Sequence, residues 1–279
     1  MILRAALCQT CSPATTAEGL AHVAPLVRRG AVEGAQLILT PEGTNFLQRD
    51  RGKLGPLLAA PEDDVCVQGL RALAAELSVW IVIGSALIKR PDGAAANRQF
   101  VVAPDGSIRA TYDKLHMFDV NLPTGEMARE SELYTPGDAA ITVDAAGARL
   151  GLTICYDVRF PALHRALALA GAEILTSPAA FTRPTGAAHW EILLRARAIE
   201  TGSFVLAAAQ GGHHADGRGT YGHSIAIGPW GEILGQHADD EPGVLTVDLD
   251  LDAVAGARAA IPALVNARAF TGPAPGLSV

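Results

Sequence analysis

The sequence lacks the features that mark membrane, secreted and nucleic-acid-binding proteins. No apolar run approaches the roughly 20 residues that a helix needs to span a bilayer. The opening segment, residues 1–7, is too short for a signal-peptide core and carries no cleavage pattern. The 22 lysines and arginines are spread thinly over a chain with a net charge of −7, so no basic face for nucleic acid is expected. These absences predict a cytoplasmic protein that binds neither membranes nor nucleic acid.

Motifs for nucleotides and metals are also missing. The chain has neither the G-x-G-x-x-G nor the P-loop pattern. Of its four cysteines, Cys8 and Cys11 have the C-x-x-C spacing of a redox pair or of half a zinc site, but no second C-x-x-C or H-x-x-x-H would complete the ligand set. Redox pairs typically open a helix, whereas Cys8 ends a predicted strand. The spacing therefore favours a position in the core or at a sheet edge, and we expect no metal.

Alternating strand and helix patterns predict an α/β fold. The 279 residues, 49% of them hydrophobic, suffice for one large domain over residues 1–279, with a short tail from about residue 262. Periodicity predicts helices after Thr15 or Thr16 and at 62–77, 160–171, 187–201 and 250–260. It predicts strands at 2–8, 36–40, 80–84, 98–103, 107–113, 139–143, 148–154, 173–177, 203–209, 222–228, 232–236 and 244–248. Because hairpins interrupt the alternation, we expect two mixed sheets packed face to face with helices outside.

A thiol at the end of a strand is the most informative candidate for chemistry. The apolar run Leu150–Ile154 ends at Cys155, and polar residues and a helix start follow. Ligands bind at the carboxyl ends of strands in open α/β sheets. A small buried hydrophobic role is the alternative, since free cysteines are usually buried. A reactive thiol needs partners, because the thiolate is the nucleophile and a free cysteine is mostly protonated at neutral pH.

Two other strand ends offer such partners. Glu42 follows a short apolar strand and Pro41, which restricts the preceding residue to extended geometry. A carboxylate there is costly to bury unpaired, so it is either solvated or bound to another group. Lys114 ends a further strand, and its alternative role is a surface lysine bonded to Asp113. Glu42, Lys114 and Cys155 would meet at one sheet edge, which predicts a thiol hydrolase.

Together these segments resemble the nitrilase, or carbon–nitrogen hydrolase, superfamily. The resemblance runs through nearly the whole chain in family order: Pro41-Glu42, residues 113–119, 155–161, 185–191, 195–200, 221–224 and 229–231. It implies an α-β-β-α sandwich of two mixed sheets that dimerises through its outer helices. It also implies that Glu42, Lys114 and Cys155 are catalytic. A second catalytic glutamate of the family matches Glu130, with the nearby Glu126 and Glu132 as alternatives. A solvated acidic loop is the other interpretation of these residues.

The resemblance implies an amidase mechanism without a metal or organic cofactor. Glu42 would take the thiol proton, Cys155 would attack an amide carbonyl, and Lys114 with the backbone N–H of Tyr156 would stabilise the oxyanion. Ammonia would leave with a proton from Glu42, and water would hydrolyse the thioester. An inactive fold kept as a scaffold is the competing hypothesis, but a scaffold has no need for all three side chains.

The chain resembles most the branch that acts on deaminated glutathione, with ω-amidase action on α-ketoglutaramate, or another aliphatic amidase or nitrilase, as the alternative. An anionic substrate needs a local cation, and Arg159 matches the family position that holds the substrate carboxylate. A salt bridge to Asp157 or Glu191 is its alternative role. The resemblance implies further substrate-binding residues: Tyr156, Thr185, Phe181 and His189, the last supporting the loop beside the cysteine.

Four segments depart from the family pattern or remain open. Gly43-Thr44 and Ala187 could alter the loops that shape the pocket, and the ending 267–270 lacks the basic, tyrosine-containing tail of related amidases. The adjacent His213 and His214 would point to opposite faces of an extended chain, so they are a poor chelating pair. We expect them to be loop residues near the substrate mouth.

Overall fold

The computed structural model describes residues 1–123 and 125–272. Its strands are β1 (Ile2–Gln9), β2 (Leu37–Leu39), β3 (Trp80–Lys89), β4 (Ala95–Val102), β5 (Ile108–Asp113), β6 (Asp119–Asn121), β7 (Met127–Arg129), β8 (Thr142–Ala145), β9 (Ala148–Leu152), β10 (Ile174–Thr176), β11 (Phe204–Ala207), β12 (Gly211–His213), β13 (Gly219–Tyr221), β14 (Ile225–Ile227), β15 (Ile233–Gln236) and β16 (Gly243–Asp250).

The helices complete the list of regular elements in this part of the chain. They are α1 (Thr16–Val32), α2 (Arg51–Leu54), α3 (Val65–Leu77), α4 (Pro161–Leu169), α5 (Arg183–Thr201), α6 (Asp252–Ala260) and α7 (Ala263–Asn266). Short 3₁₀ turns cover Gly55–Leu57, Glu130–Glu132 and Cys155–Arg159. Across the described residues, no helix combines the length and apolar character that crossing a bilayer requires. Of the predicted tail, positions 273–279 lie outside the described residues.

Two six-stranded mixed sheets form the centre of the molecule. The first sheet has the order β16-β1-β2-β3-β4-β5 and the second β15-β14-β11-β10-β9-β8. In the first, β1, β2 and β3 run parallel while β16, β4 and β5 pair antiparallel with their neighbours. In the second, β9, β10 and β11 run parallel. The predicted fold of two mixed sheets with helices is therefore confirmed.

Alternation along the strands separates the layers. On β1, Leu3, Ala5 and Leu7 belong to the apolar cluster between the sheets, whereas Ala6 and Cys8 belong to the cluster under α1 and α3. Successive residues of a strand point to opposite faces, so β1 is covered on both sides. The helices α4 and α5, which pack on the second sheet, contribute apolar residues to the same cluster as Leu3, Ala5 and Leu7. Cys8 is thus a core residue, and all four cysteines are free thiols.

The main elements agree with the predicted ones, and the short ones were missed. The helix predicted over 62–77 begins at Val65, because the Asp64 side chain accepts a hydrogen bond from Val67 N–H and caps it. The helix predicted from 187 begins at Arg183, capped in the same way by Thr182. The hairpins β6–β7 and β12–β13 consist of three-residue strands whose pattern is too short for periodicity to reveal.

Close contact between the sheets beneath Glu42 depends on a glycine in β3. A Cβ on Gly84 would overlap the carbonyl oxygen of Thr40 and lie 2.5 Å from the Cβ of Pro178. Gly84 N–H also donates to Thr40 Oγ1 at 3.1 Å. Thr40 precedes the Glu42 loop and Pro178 follows β10 of the second sheet. The missing side chain therefore allows the loops of both sheets to approach.

We expect Gly84→Ala to destabilise the fold, because overpacking of a tight core typically costs about 1–3 kcal/mol. Chemical denaturation measures the free energy of unfolding. The matched control is Gly256→Ala in α6, where an added Cβ has no neighbour within 4 Å. There, alanine should be neutral or stabilise by up to about 1 kcal/mol. Equal unfolding free energies for the two variants would contradict this account of Gly84.

Candidate active site

Three strand ends bring Glu42, Lys114 and Cys155 together at the edge of the two sheets. Lys114 Nζ lies 2.8 Å from Glu42 Oε1 and 2.8 Å from both carboxylate oxygens of Glu130. All three predicted catalytic side chains are buried, with exposures of 6% for Glu42, 2% for Lys114 and 7% for Cys155. We call Glu42, Lys114 and Cys155 the Glu–Lys–Cys cluster. The first sheet supplies the acid and the ammonium, and the second supplies the sulfur.

Every oxygen of the Glu42 carboxylate has a donor. Oε1 accepts from Lys114 Nζ and from Asn97 Nδ2, each at 2.8 Å, and Oε2 accepts from the backbone N–H of Ala180 at 2.9 Å. The side chain of Gln210 donates to the backbone oxygen of Glu42 at 2.9 Å. Ala180 and Gln210 follow strands of the second sheet. The carboxylate is thus fixed by groups from both sheets.

Glu130 is the acidic side chain that completes the surroundings of Lys114. Besides accepting two hydrogen bonds from Lys114, it accepts one from the backbone N–H of Phe118 at 2.6 Å. Glu126 and Glu132, the alternatives considered from the sequence, line the same cavity, but neither forms an ion pair with Lys114 within the described ranges. A buried ammonium between two carboxylates satisfies the rule that buried charges are paired.

The backbone at Cys155 is strained in a way that presents the sulfur. Cys155 has φ of +49°, the left-handed region that non-glycine residues rarely adopt, and it opens a 3₁₀ turn. Its N–H donates to the backbone oxygen of Pro178 at 2.8 Å. The thiol therefore stands at a bend shortly after the end of β9.

The buried carboxylate of Asp157 holds this bend. It accepts hydrogen bonds from Tyr112 Oη (2.7 Å), Ile154 N–H (2.9 Å), His116 N–H (3.1 Å) and His116 Nδ1 (2.7 Å). Tyr112 and His116 flank Lys114 in sequence, so one carboxylate joins the lysine segment to the cysteine turn. A strained backbone conformation persists where surrounding contacts hold it in place. The four hydrogen bonds to the buried Asp157 carboxylate provide that restraint.

The electrostatics of the Glu–Lys–Cys cluster set one protonation state. Burial raises the pKa of the Cys155 thiol, and the Glu42 charge raises it further, so the sulfur is protonated at rest. Burial opposes ionisation of Glu42, but the charge of Lys114 and hydrogen bonds to the carboxylate hold its pKa below the ordinary value. Burial likewise opposes the charge of Lys114, yet Glu130 and Glu42 raise its pKa well above the usual value. A carboxylate base thus faces a neutral thiol beside a permanent cation.

A cavity of about 470 Å³ opens onto the sulfur. Its floor includes the Glu–Lys–Cys cluster, and its apolar wall includes Phe118, Tyr134 and Phe181. Among the arginines that line it are Arg49, Arg51 at the start of α2, and Arg218. Pockets of a few hundred Å³ with convergent polar groups are typical of small-molecule sites. The arrangement can hold a carbonyl compound against a nucleophile, a base and a cation.

The predicted substrate-binding residues divide into two groups. Phe181 and Thr185 line the cavity, and Thr185 also shares a hydroxyl hydrogen bond of 2.9 Å with the helix cap Thr182. Tyr156, Arg159 and His189 are not among the lining residues and form an adjoining group.

Arg159 packs against Phe181, a residue that lines the cavity. Its guanidinium is 5.9 Å from the ring centre of Tyr156 and 5.6 Å from that of Phe181, and Nη2 lies 3.2 Å from His189 Nδ1. Within the described residues, Arg159 has no salt bridge to Asp157 or Glu191, the alternative considered from the sequence; Glu191 pairs with Arg195 instead.

The two adjacent histidines divide between the end of a strand and the turn that follows it. His213 ends β12 and is exposed, whereas His214 is buried, with Nδ1 3.1 Å from Ser12 O and Nε2 2.7 Å from Thr220 Oγ1. Neither lines the cavity. The buried His214 ring therefore has a structural role: its two hydrogen bonds connect the β12–β13 hairpin to the segment after β1.

Sequence reasoning missed two groups that position the cluster. Asn97 lies in β4, is 2% exposed and donates to Glu42 and also to Glu130 at 3.3 Å. The Asp157 carboxylate was considered only as a partner of Arg159. The sequence did contain a signal for Asn97, which is a polar residue inside a hydrophobic strand. Such a residue is buried only where it has hydrogen-bond partners.

Comparison with known proteins assigns the chain to a family. The model of the carbon-nitrogen hydrolase family matches residues 4–259. The chain belongs to the carbon-nitrogen hydrolase family. The resemblance and the enzyme class predicted from the sequence are thereby confirmed. A relative from Yersinia enterocolitica, named deaminated glutathione amidase, is 39% identical over 277 residues, covering 98% of this chain and 96% of its own.

Two solved structures show the same architecture. The NitFhit protein of C. elegans superposes with a TM-score of 0.89 at 34% identity, covering 96% of this chain, which spans only 65% of that longer chain. An amidase variant from Nesterenkonia sp. AN1 superposes with a TM-score of 0.79 at 28% identity, covering 95% of this chain and 94% of its own. In that amidase, the acetamide moiety of fluoroacetamide is covalently added at the active-site cysteine.

The lowered pKa of Glu42 predicts the acid limb of the pH profile. A base must be deprotonated to work, so kcat/KM on an amide substrate should stay level down to about pH 5 and fall below the ordinary carboxyl value of about 4.5. Circular dichroism at each pH separates loss of activity from unfolding. An acid limb centred near about 6.5, the ordinary histidine pKa, would contradict the assignment of the base.

Proposed function

We propose that this chain is a thiol amidohydrolase in which Glu42, Lys114 and Cys155 are catalytic and Glu130 positions the lysine. The observation that carries the proposal is the pairing of Lys114 Nζ with Glu42 at 2.8 Å beside a buried cysteine that faces a cavity. The proposal takes residues 1–279 as one catalytic domain. The predicted homodimer and cytoplasmic location remain predictions from the sequence.

The first half-reaction forms a thioester. Glu42 takes the proton of Cys155, the Sγ–carbon bond forms, and the electron pair of the carbonyl bond moves to its oxygen. The tetrahedral intermediate then collapses, the carbon–nitrogen bond breaks, and the proton held by Glu42 passes to the departing nitrogen. The amine leaves, and it is ammonia when the substrate is a primary amide.

The second half-reaction returns the enzyme to its starting state. Glu42 takes a proton from water, the hydroxide attacks the thioester carbonyl, and the carbon–sulfur bond breaks. Glu42 then passes its proton to the sulfur, and the carboxylic acid leaves. Each proton removed by Glu42 is thus delivered later in the same half-reaction, so one carboxylate serves both steps.

Lys114 stabilises the oxyanion of both intermediates. Its ammonium is charged before the reaction begins and is held by two carboxylates, so it needs no reorganisation when negative charge develops. The backbone N–H of Tyr156, on the turn after Cys155, is the proposed second donor. Loss of one oxyanion donor typically costs about 2.7–4 kcal/mol of barrier stabilisation.

Deaminated glutathione is the proposed substrate, because that is what the curated relative is named for. The ω-amidase substrate α-ketoglutaramate shares its keto-acyl part and is the second candidate. In this proposal Arg159, which packs against Phe181, attracts the keto-acid carboxylate. An inactive scaffold is disfavoured, because a scaffold gains nothing from burying an ammonium, two carboxylates and a thiol together.

Replacing the thiol should abolish activity without unfolding the chain. Cys155→Ala should show no turnover of either amide, and Glu42→Gln should lose about 10²- to 10⁴-fold in kcat. Ammonia or amine release and circular dichroism are the measurements. Cys11→Ser, a change at a half-buried cysteine outside the cavity, is the matched control and should retain full activity.

A labelling experiment tests the nucleophile independently of the substrate. An alkylating amide should modify the peptide that contains Cys155, and mass measurement should find it before Cys11 reacts. Cys155 left unmodified while Cys11 is labelled would favour the scaffold. If α-ketoglutaramate is turned over far faster than deaminated glutathione, the order of the two substrate candidates is reversed.

A further inference from the structure

Arginines from two segments of the chain line the cavity. Arg49 and Arg51 follow the Glu42 loop, and Arg218 lies in the turn of the β12–β13 hairpin. A Cβ on Gly217 would lie 3.2 Å from Arg49 Nη2, so the two loops touch there. Within the described residues, neither Arg49 nor Arg51 has a carboxylate oxygen within 4.0 Å; the recorded pair in this group joins Arg218 to Asp216.

Arg218 is held in one orientation. Its Nε and Nη2 each lie 2.7 Å from Asp216 Oδ2, and its backbone N–H donates to Oδ1 at 3.1 Å. The Asp216 side chain is 1% exposed and that of Arg218 is 27% exposed. Nη1 forms no hydrogen bond with any described residue. One edge of the guanidinium is therefore fixed by a buried carboxylate, and the other edge has donors to offer.

The turn that carries Arg218 is itself fixed. His214 N–H donates to Arg218 O at 2.9 Å, and Gly217 N–H donates to His214 O at 2.9 Å. The buried His214 ring ties this turn to Ser12 and Thr220. A cation on a rigid turn loses little conformational entropy when it binds an anion, which favours recognition.

Arg218 lines the same cavity as Glu42, Cys155 and Tyr134. Arg159, in contrast, stacks on Phe181. Arg159 is the residue that the family resemblance assigns to the acyl carboxylate, which leaves Arg218 for a carboxylate elsewhere on the substrate.

We propose that Arg218 is a specificity-determining residue that binds a carboxylate on the amine portion of the substrate. This inference rests on the proposed function and names its substrate class: amides whose leaving amine is an amino acid or a short peptide with a free carboxyl group. A cavity of about 470 Å³ has room for such an amine portion as well as the acyl part. The reaction is the one described above, with this amine in place of ammonia.

The test compares three amides that share one acyl group. They are deaminated glutathione, its analogue with the terminal glycine carboxylate converted to a carboxamide, and α-ketoglutaramate. The wild-type chain should prefer the carboxylate over the carboxamide. Arg218→Gln should lower kcat/KM for deaminated glutathione by about 10- to 100-fold, the range for loss of a charge-assisted hydrogen bond, and remove that preference. Turnover of α-ketoglutaramate should change by less than about twofold.

Controls separate recognition from folding. Arg4→Gln removes an arginine bound by Asp248 through the same two nitrogens outside the cavity, and it should leave all three rates unchanged. Because Arg218→Gln leaves Asp216 buried without its partner, the double variant Asp216→Asn/Arg218→Gln repeats the test without an unpaired charge. Arg218→Lys should restore part of the preference for the carboxylate.

The outcomes are distinct. The inference is overturned if Arg218→Gln and the double variant keep the preference for the carboxylate, if all three rates fall equally, or if the wild-type chain shows no preference. In each of these cases the proposed hydrolase remains, since amide turnover is still measured. Failure of the wild-type chain to hydrolyse any of the three amides would instead refute the proposed function itself.

Discussion

The site depends on keeping one ammonium out of water between two carboxylates. Lys114 is 2% exposed, and an isolated ammonium at such a depth would lose its proton rather than stay charged. Glu42 and Glu130 reverse that tendency, and Asn97 donates to both carboxylates. This arrangement keeps the pKa of Glu42 low while burial keeps the thiol of Cys155 protonated. The separation of charge that the proposed reaction needs is therefore already present in the resting molecule.

Secondary structure alone would not bring these groups into contact. The Glu42 loop requires the close approach permitted by Gly84, and the Cys155 bend requires the four hydrogen bonds on Asp157. Both features are local departures from regular geometry at the ends of regular strands. Such departures are tolerated where packing and hydrogen bonds over-determine them, and they occur at functional sites for the same reason.

The sequence predicted the long elements and the three central side chains. Strand periodicity and the position of Glu42, Lys114 and Cys155 at strand ends were enough for that, and the family resemblance added Glu130. The burial of His214 was not predicted, because local extended geometry says nothing about burial, which tertiary contacts with Ser12 and Thr220 decide. Neither Asn97 nor Arg218 could be assigned, because their roles depend on contacts between elements far apart in the chain.

The division of the Glu–Lys–Cys cluster between two sheets has a mechanical consequence. The base and the ammonium move with one layer, and the sulfur and the Ala180 donor move with the other. The amide of Gln210 bridges them through Ser12 and the backbone of Glu42. The proposed activity thus depends on how the two sheets are aligned. A small shift of one sheet relative to the other would abolish the reaction while every strand stayed intact. A mutation between the sheets, far from any reacting atom, can therefore lower the activity by shifting one sheet.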